Sequence, residues 1–128
     1  MLISNANRCI LVIDDEPDLC RIVKVTLERL KNWKILTVES GQAGLTQAQT
    51  QQPDAILLDL SLSDGDGMEL LQALKTNPVT QSIPVFLFTA KDLTEDRLEF
   101  NPWEVAGVIL KPFNVLQLAD QIGAQLDW

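Results

Sequence analysis

The sequence predicts an α/β domain: one parallel sheet of five strands, covered by helices on both faces. Three observations predict it. First, five short apolar runs stand out, at Cys9–Ile13, Ile35–Val38, Ala55–Leu58, Val85–Phe88 and Val108–Leu110. They are rich in Ile, Leu, Val and Phe, and three are nearly unbroken. Strands buried on both faces read this way, whereas a strand with one wet face alternates. Second, stretches of helical period separate the runs, and repeated right-handed βα units build one parallel sheet. Third, 128 residues suit one such domain, which buries roughly two-thirds of its unfolded surface and needs neither disulfide nor zinc.

The elements follow in order. After the first run, Leu19, Ile22, Val23, Leu27 and Leu30 form an i, i+3, i+4 stripe, the mark of a helix with one apolar face. Gly41–Gln51 is a weaker helix, with only Ala43, Leu45 and Ala48 to bury. Pro53 precedes the third strand. Met68, Leu70, Leu71 and Leu74 mark a third helix, which Asn77-Pro78 ends, and Pro84 precedes the fourth strand. The polar segment Asp92–Phe100 predicts a short helix starting near Thr94, stopped by Asn101-Pro102. Val115, Leu118, Ala119, Ile122 and Leu126 give the last helix. Trp33, Trp103 and Trp128 are expected to serve packing or anchor loops rather than stack on a ligand, a mobile chain end being the alternative for Trp128. No linker, low-complexity stretch or second domain is visible.

Composition limits the chemistry. Hydrophobic residues make up 46% and charged residues 22%, the balance of a folded globular chain. Ten basic residues against eighteen acidic ones give a net charge of −8, which argues against a nucleic-acid module. Histidine is absent, so a Ser-His-Asp triad, an H-E-x-x-H zinc site and a phosphohistidine on this chain are excluded. Cys9 and Cys20 form no C-x-x-C pattern and read as reduced thiols in a cytosol. No apolar run approaches the ~20 residues of a membrane span, and Met1–Arg8 lacks a signal-peptide profile.

In an open parallel sheet, ligands bind beyond the carboxyl ends of the strands, where strand order reverses. The residues just past the runs are therefore the informative ones: Asp14, Asp15 and Glu16 after the first, Asp59 after the third, Thr89 and Ala90 after the fourth, Lys111 and Pro112 after the fifth. Three carboxylates gathered at one edge repel one another and call for cations. Lys111 supplies one. A hard divalent ion such as Mg²⁺, bound through oxygen and sharing phosphate oxygens, supplies the rest. Helix capping by Asp14 and Asp15 is the simpler alternative, but a double acid is more than a cap requires, and Asp18 after Pro17 could serve. An aspartate with an ordinary pKa of about 3.9 is already an anion at neutral pH. It can attack phosphorus without a general base, leaving an acyl phosphate. Such attack needs charge neutralisation at the phosphoryl oxygens, from Mg²⁺, Lys111 and the Thr89 hydroxyl.

Ile13-Asp14-Asp15-Glu16-Pro17, Leu57-Leu58-Asp59, Asp66-Gly67, Phe88-Thr89-Ala90 and Lys111-Pro112-Phe113 together resemble the signature of response-regulator receiver domains of two-component signalling. The resemblance spans about Cys9 to Leu126. It implies a flavodoxin-like sheet of order 2-1-3-4-5. It implies that Asp59 is the phosphoacceptor and that Asp15 binds Mg²⁺ directly. Asp14 helps through water, and the Ser61 backbone carbonyl completes the protein ligands. Lys111 pairs with the phosphoryl group and precedes a cis Pro112, and Thr89 turns inward once Asp59 is modified. It further implies a sensor histidine kinase or phosphotransfer protein as donor and a downstream protein target. A direct nucleic-acid or membrane partner is not expected. The expectation is one cytoplasmic receiver domain over residues 1–128, core about 9–126, with no output domain and no enzymatic activity beyond its own phosphorylation and dephosphorylation. The face from about Asp92 to Leu126 would carry the output.

Three departures stand out. Val108 occupies a position, three before the lysine, where the family often has an aromatic switch residue. The loop Ser61-Leu62-Ser63-Asp64-Gly65 lacks a common proline and is expected to be more mobile. Ser61 and Lys91 fill the variable positions that tune acyl-phosphate lifetime. On the first helix, Cys20, Arg21, Lys24 and Val25 lie off the predicted stripe and suggest a docking surface for a kinase's phosphorylatable domain. Two other readings fit less well. A static receiver-like module would not need the complete acid–lysine set. An aspartyl-nucleophile phosphatase would need an acid where Ser61 stands. A dinucleotide site is excluded because no G-x-G-x-x-G follows the first strand.

Overall fold

A computed structural model describes residues 8–62, 65–90 and 105–128 of the chain. Five strands make the main sheet: β1 (Cys9–Ile13), β2 (Lys34–Val38), β3 (Ala55–Asp59), β4 (Val85–Ala90) and β5 (Gly107–Lys111). The described helices are α1 (Pro17–Lys31), α2 (Gly41–Gln51), α3 (Gly67–Thr76) and α4 (Val115–Leu126). All strand pairs of the sheet are parallel, in the order β2-β1-β3-β4-β5. This is the flavodoxin-like order. The helix expected near Thr94 lies outside the described residues, as do Lys91, Trp103, Ser63 and Asp64.

Side chains of the central strands sort by the two-residue period of a strand. Ile10, Val12, Leu57, Phe86 and Phe88 face α1 and α4, where they meet Val23, Leu27, Leu118 and Ile122. Leu11, Ile13, Ile56, Leu58 and Leu87 face α2 and α3, where they meet Ala48, Leu70, Leu71 and Leu74. Both faces are therefore dry, which is why the strands read as unbroken apolar runs. Every strand but β1 extends one or two residues beyond its apolar run, because ladder bonds continue into polar residues. Asp59, Thr89 and Lys111 thus sit on the strands themselves.

Helix α1 differs from its predicted stripe. Its buried residues are Cys20, Val23 and Leu27, while Ile22 is 52% and Leu30 50% exposed. Cys20, Val23 and Leu27 span a narrow arc of the helical wheel. Ile22 lies well off that arc, and Leu30 sits in the last turn, next to the αL cap at Asn32. In α2 the buried residues are Gly44 and Ala48. A Cβ on Gly44 would lie 2.6 Å from Ile13 Cδ1, so the glycine lets α2 close on the end of β1.

One further difference concerns a loop, and the chain end follows the packing expectation. Ser61–Leu62 and Gly65–Asp66 pair as a short antiparallel ladder, where the sequence suggested a loose loop. Trp128 is anchored. Its ring meets buried Trp33 edge-on with centroids 5.2 Å apart, Arg8 lies over it at 5.0 Å, and its N–H donates to the Gly123 carbonyl. No helix of the described residues is long and apolar enough to cross a membrane.

Candidate functional site

Strand order reverses between β1 and β3. Helix α1 leads the chain to β2 on one side of β1, and α2 returns it to β3 on the other. The ends of β1 and β3 therefore open on a crevice that neither α1 nor α2 covers. Asp14 follows β1, and Asp59 ends β3. One carboxylate oxygen from each of Asp14, Asp15 and Asp59 falls within a 4.8 Å cluster.

Asp14 is fully buried and held at each polar atom. Its N–H donates to the Val38 carbonyl at 3.1 Å, and its Oδ1 accepts from the Glu16 N–H at 2.9 Å. Its Oδ2 accepts from Lys111 Nζ at 2.9 Å, and its carbonyl accepts from the Cys20 thiol at 3.3 Å. Neither Asp14 nor Asp15 caps α1: the N-cap is Glu16, without a side-chain cap, and Pro17 starts the helix. Asp59 is buried too. Its Oδ1 accepts from the Ser61 N–H at 3.0 Å, and its Oδ2 lies 3.5 Å from Lys111 Nζ.

Lys111 reaches this cluster from β5, and its bond to Pro112 is cis. Its ammonium also lies 6.0 Å from the Phe88 ring centroid, and Phe88 stacks on Phe113 at 5.0 Å. Thr89 is buried and follows Phe88, the register partner of Asp59, so it enters the same end of the sheet. Gly67, at the start of α3, is a positioning residue the sequence reading missed. A Cβ there would lie 2.5 Å from both the Asp59 carbonyl oxygen and Leu60 Cα. Cys20, whose thiol meets the Asp14 carbonyl, was also left off the buried face by the sequence reading, and its spacing from Val23 and Leu27 was the available signal.

Electrostatics follow the geometry. Burial raises the Asp59 pKa and the Asp14 and Asp15 charges add to it, against the lowering effects of the Ser61 N–H and Lys111. Burial pulls the Lys111 ammonium down, but the Asp14 hydrogen bond and the charges of Asp14, Asp59 and Glu16 outweigh it, so its pKa is raised. Burial, with the charge of Asp14, pushes the Cys20 thiol up to about 11, which keeps it a donor at neutral pH. Three carboxylates against one ammonium leave two negative charges in excess. An all-oxygen set with that excess fits a hard divalent cation.

Comparison with known proteins agrees. The family model "Response regulator receiver domain" matches residues 10–123. "Probable transcriptional regulatory protein TcrX" of Mycobacterium tuberculosis is 36% identical over 118 residues, 91% of this chain and 49% of that protein. The response regulator ArlR of Staphylococcus saprophyticus is 32% identical over 117 residues, 91% of this chain and 51% of its own length. The chain thus spans about half the length of these curated relatives. Among solved structures, the chemotaxis response regulator CheY4 of Vibrio cholerae superposes with a TM-score of 0.83 at 23% identity, over 92% of this chain and 98% of that one. A receiver protein's N-terminal domain from Methanoculleus marisnigri gives 0.74 at 35% identity, over 91% and 94%. The chain belongs to the response-regulator receiver domain family, the phosphorelay signalling module of two-component systems.

Proposed function

We propose that this receiver takes a phosphoryl group onto Asp59 and signals by changed protein contacts. The observation that carries the reading is the cluster itself: three carboxylate oxygens within 4.8 Å, with Lys111 Nζ 3.5 Å from Asp59. Asp59 attacks phosphorus through a carboxylate oxygen. The donor's P–N or P–O bond breaks, and an acyl phosphate forms. The Ser61 N–H on Oδ1 limits rotation of the carboxylate and leaves Oδ2, on the Lys111 side, as the attacking atom. Lys111 balances the charge gathered by the transferred group. Thr89 offers a hydroxyl at the same sheet end, as a partner for a phosphoryl oxygen. Asp14, Asp15, Asp59 and the Ser61 carbonyl would hold a Mg²⁺, which would supply charge neutralisation at the phosphoryl oxygens.

The donor in this reading is a sensor histidine kinase or phosphotransfer protein, since the chain has no histidine of its own. A cytoplasmic setting and a downstream protein target go with it. Its only chemistry is its own phosphorylation and dephosphorylation. Of the residues the sequence suggested for docking, Arg21 and Val25 are exposed on α1, but the other two are engaged. Cys20 is buried, and Lys24 is engaged by Glu28 at 2.9 Å and the Ile35 carbonyl at 3.0 Å. The apolar groups beside the site are the exposed Ile22 and, across a groove, the half-buried Phe113 and Val115. Such a groove suits an apolar helix face that carries a phosphohistidine next to Lys111.

Incubation with Mg²⁺ and phosphoramidate, followed by intact-mass measurement, tests the reading. The expected result is a gain of one phosphoryl group, lost in EDTA and in Asp59→Asn. No gain in the wild type points instead to a static binding module.

A further inference from the structure

We infer that Cys20 is a positioning residue for the paired acids: its thiol fixes the peptide plane between Asp14 and Asp15 and thereby aims the metal-binding end of the site. The inference rests on the reading that this acid cluster binds Mg²⁺. Cys20 lies in the first turns of α1 and is 5% exposed. Its Sγ is 3.3 Å from the Asp14 carbonyl oxygen, within the reach of a thiol hydrogen bond. Asp14 as a whole is 0% exposed, so bulk water does not reach that carbonyl.

A peptide unit is rigid. Holding the Asp14 carbonyl therefore holds the N–H and Cα of Asp15 as well. The other polar atoms of Asp14 are tied to β2, to Glu16 and to Lys111. The thiol is thus the contact from the body of α1 that sets how Asp15 leaves the strand. The Asp15 carboxylate joins the cluster from this peptide. Loss of an outer contact to a metal ligand commonly weakens binding about 10–100-fold. A thiol is a weak donor, so a smaller effect is expected.

The test compares Cys20→Ala, Cys20→Ser and Cys20→Val with the wild type. Mg²⁺ affinity is measured by isothermal titration calorimetry, and thermal midpoints are taken in EDTA. Positioning predicts that Cys20→Ala and Cys20→Val raise the Mg²⁺ Kd about 3–10-fold. Cys20→Ser, which keeps a donor, stays within about twofold of the wild type. A packing role alone would lower the EDTA midpoint of Cys20→Ala, leave its Kd unchanged, and let Cys20→Val recover the midpoint. That pattern, or a Cys20→Ser as weak as Cys20→Ala, overturns the inference. A wild type that binds no Mg²⁺ overturns the underlying reading of the cluster and this inference with it, whereas normal wild-type binding with an unaffected Cys20→Ala overturns this inference alone.

Discussion

Lys111 Nζ donates to Asp14 Oδ2 at 2.9 Å, a hydrogen bond that joins the end of β5 to the residue just past β1. The same ammonium is 3.5 Å from Asp59, so it is seated more closely on the metal-side acid than on the acid proposed to be phosphorylated. A cation in that place answers part of the repulsion among Asp14, Asp15 and Asp59.

Removing it should therefore be felt in the fold as well as in the chemistry. Lys111→Met is expected to lower stability by about 1–3 kcal/mol in EDTA at neutral pH, less than a fully buried pair would lose because Lys111 keeps some exposure. Saturating Mg²⁺ should return much of that loss by binding the folded state alone. Denaturant melts with and without Mg²⁺ measure both. Phosphorylation by phosphoramidate should slow more than tenfold, roughly the loss of one charged contact to the phosphoryl group.

Asp59 carries a cost of a different kind. Its folded pKa lies above the unfolded value, so ionising it disfavours the fold. That cost is fully present above the folded pKa and disappears as pH falls through it. Asp59→Asn removes the charge and keeps an oxygen acceptor for the Ser61 N–H. At pH 7.5 in EDTA the variant should be more stable than the wild type. The gap should close on acidification toward pH 4. Mg²⁺ should raise the wild-type midpoint more than that of the variant. A less stable Asp59→Asn at pH 7.5 would contradict this account.

Two buried glycines should respond differently to alanine. At Gly44 the new methyl meets the Ile13 side chain at Cδ1, Cγ1 and Cγ2, which must shift to admit it, while the helix gains about 1 kcal/mol of intrinsic propensity. Gly44→Ala is expected to lie within about 1 kcal/mol of the wild type. At Gly67 the methyl meets the backbone of Asp59 and Leu60, which cannot step aside without moving the acceptor. Gly67→Ala should cost about 2–3 kcal/mol and slow phosphorylation, read by thermal melts and phosphoramidate kinetics.

Much of this architecture was legible in the residues, because two-sided burial writes itself as unbroken apolar runs. The bounds of β1 agree residue for residue with its run, and β3 differs only by including Asp59. The convergence of Asp14, Asp15, Asp59 and Lys111 followed from a topological rule about strand ends rather than from spacing in the chain. The phase of α1 was less legible. Apolar residues at helical spacing define a helix, but which flank of the stripe is covered depends on the neighbours, and Ile22 ended outside while Cys20 ended inside. The ladder between Ser61–Leu62 and Gly65–Asp66 had no signal, since two-residue strands are too short for alternation to register. Gly67 showed its position at a helix start but not the backbone it leans on. Trp128 packs as expected, but its partners, Arg8 and Trp33, were not legible because they are distant in sequence.

Asp59 itself is the residue proposed to carry the phosphoryl group. Borohydride reduction of the phosphorylated protein, followed by peptide mass mapping, tests it most directly, because an aspartyl phosphate is reduced to homoserine while a free carboxylate is untouched. The account predicts homoserine at residue 59 alone, dependent on Mg²⁺. Conversion at Asp14, Asp15 or another acid, or a phosphoryl group that survives with no reducible aspartate, would contradict it.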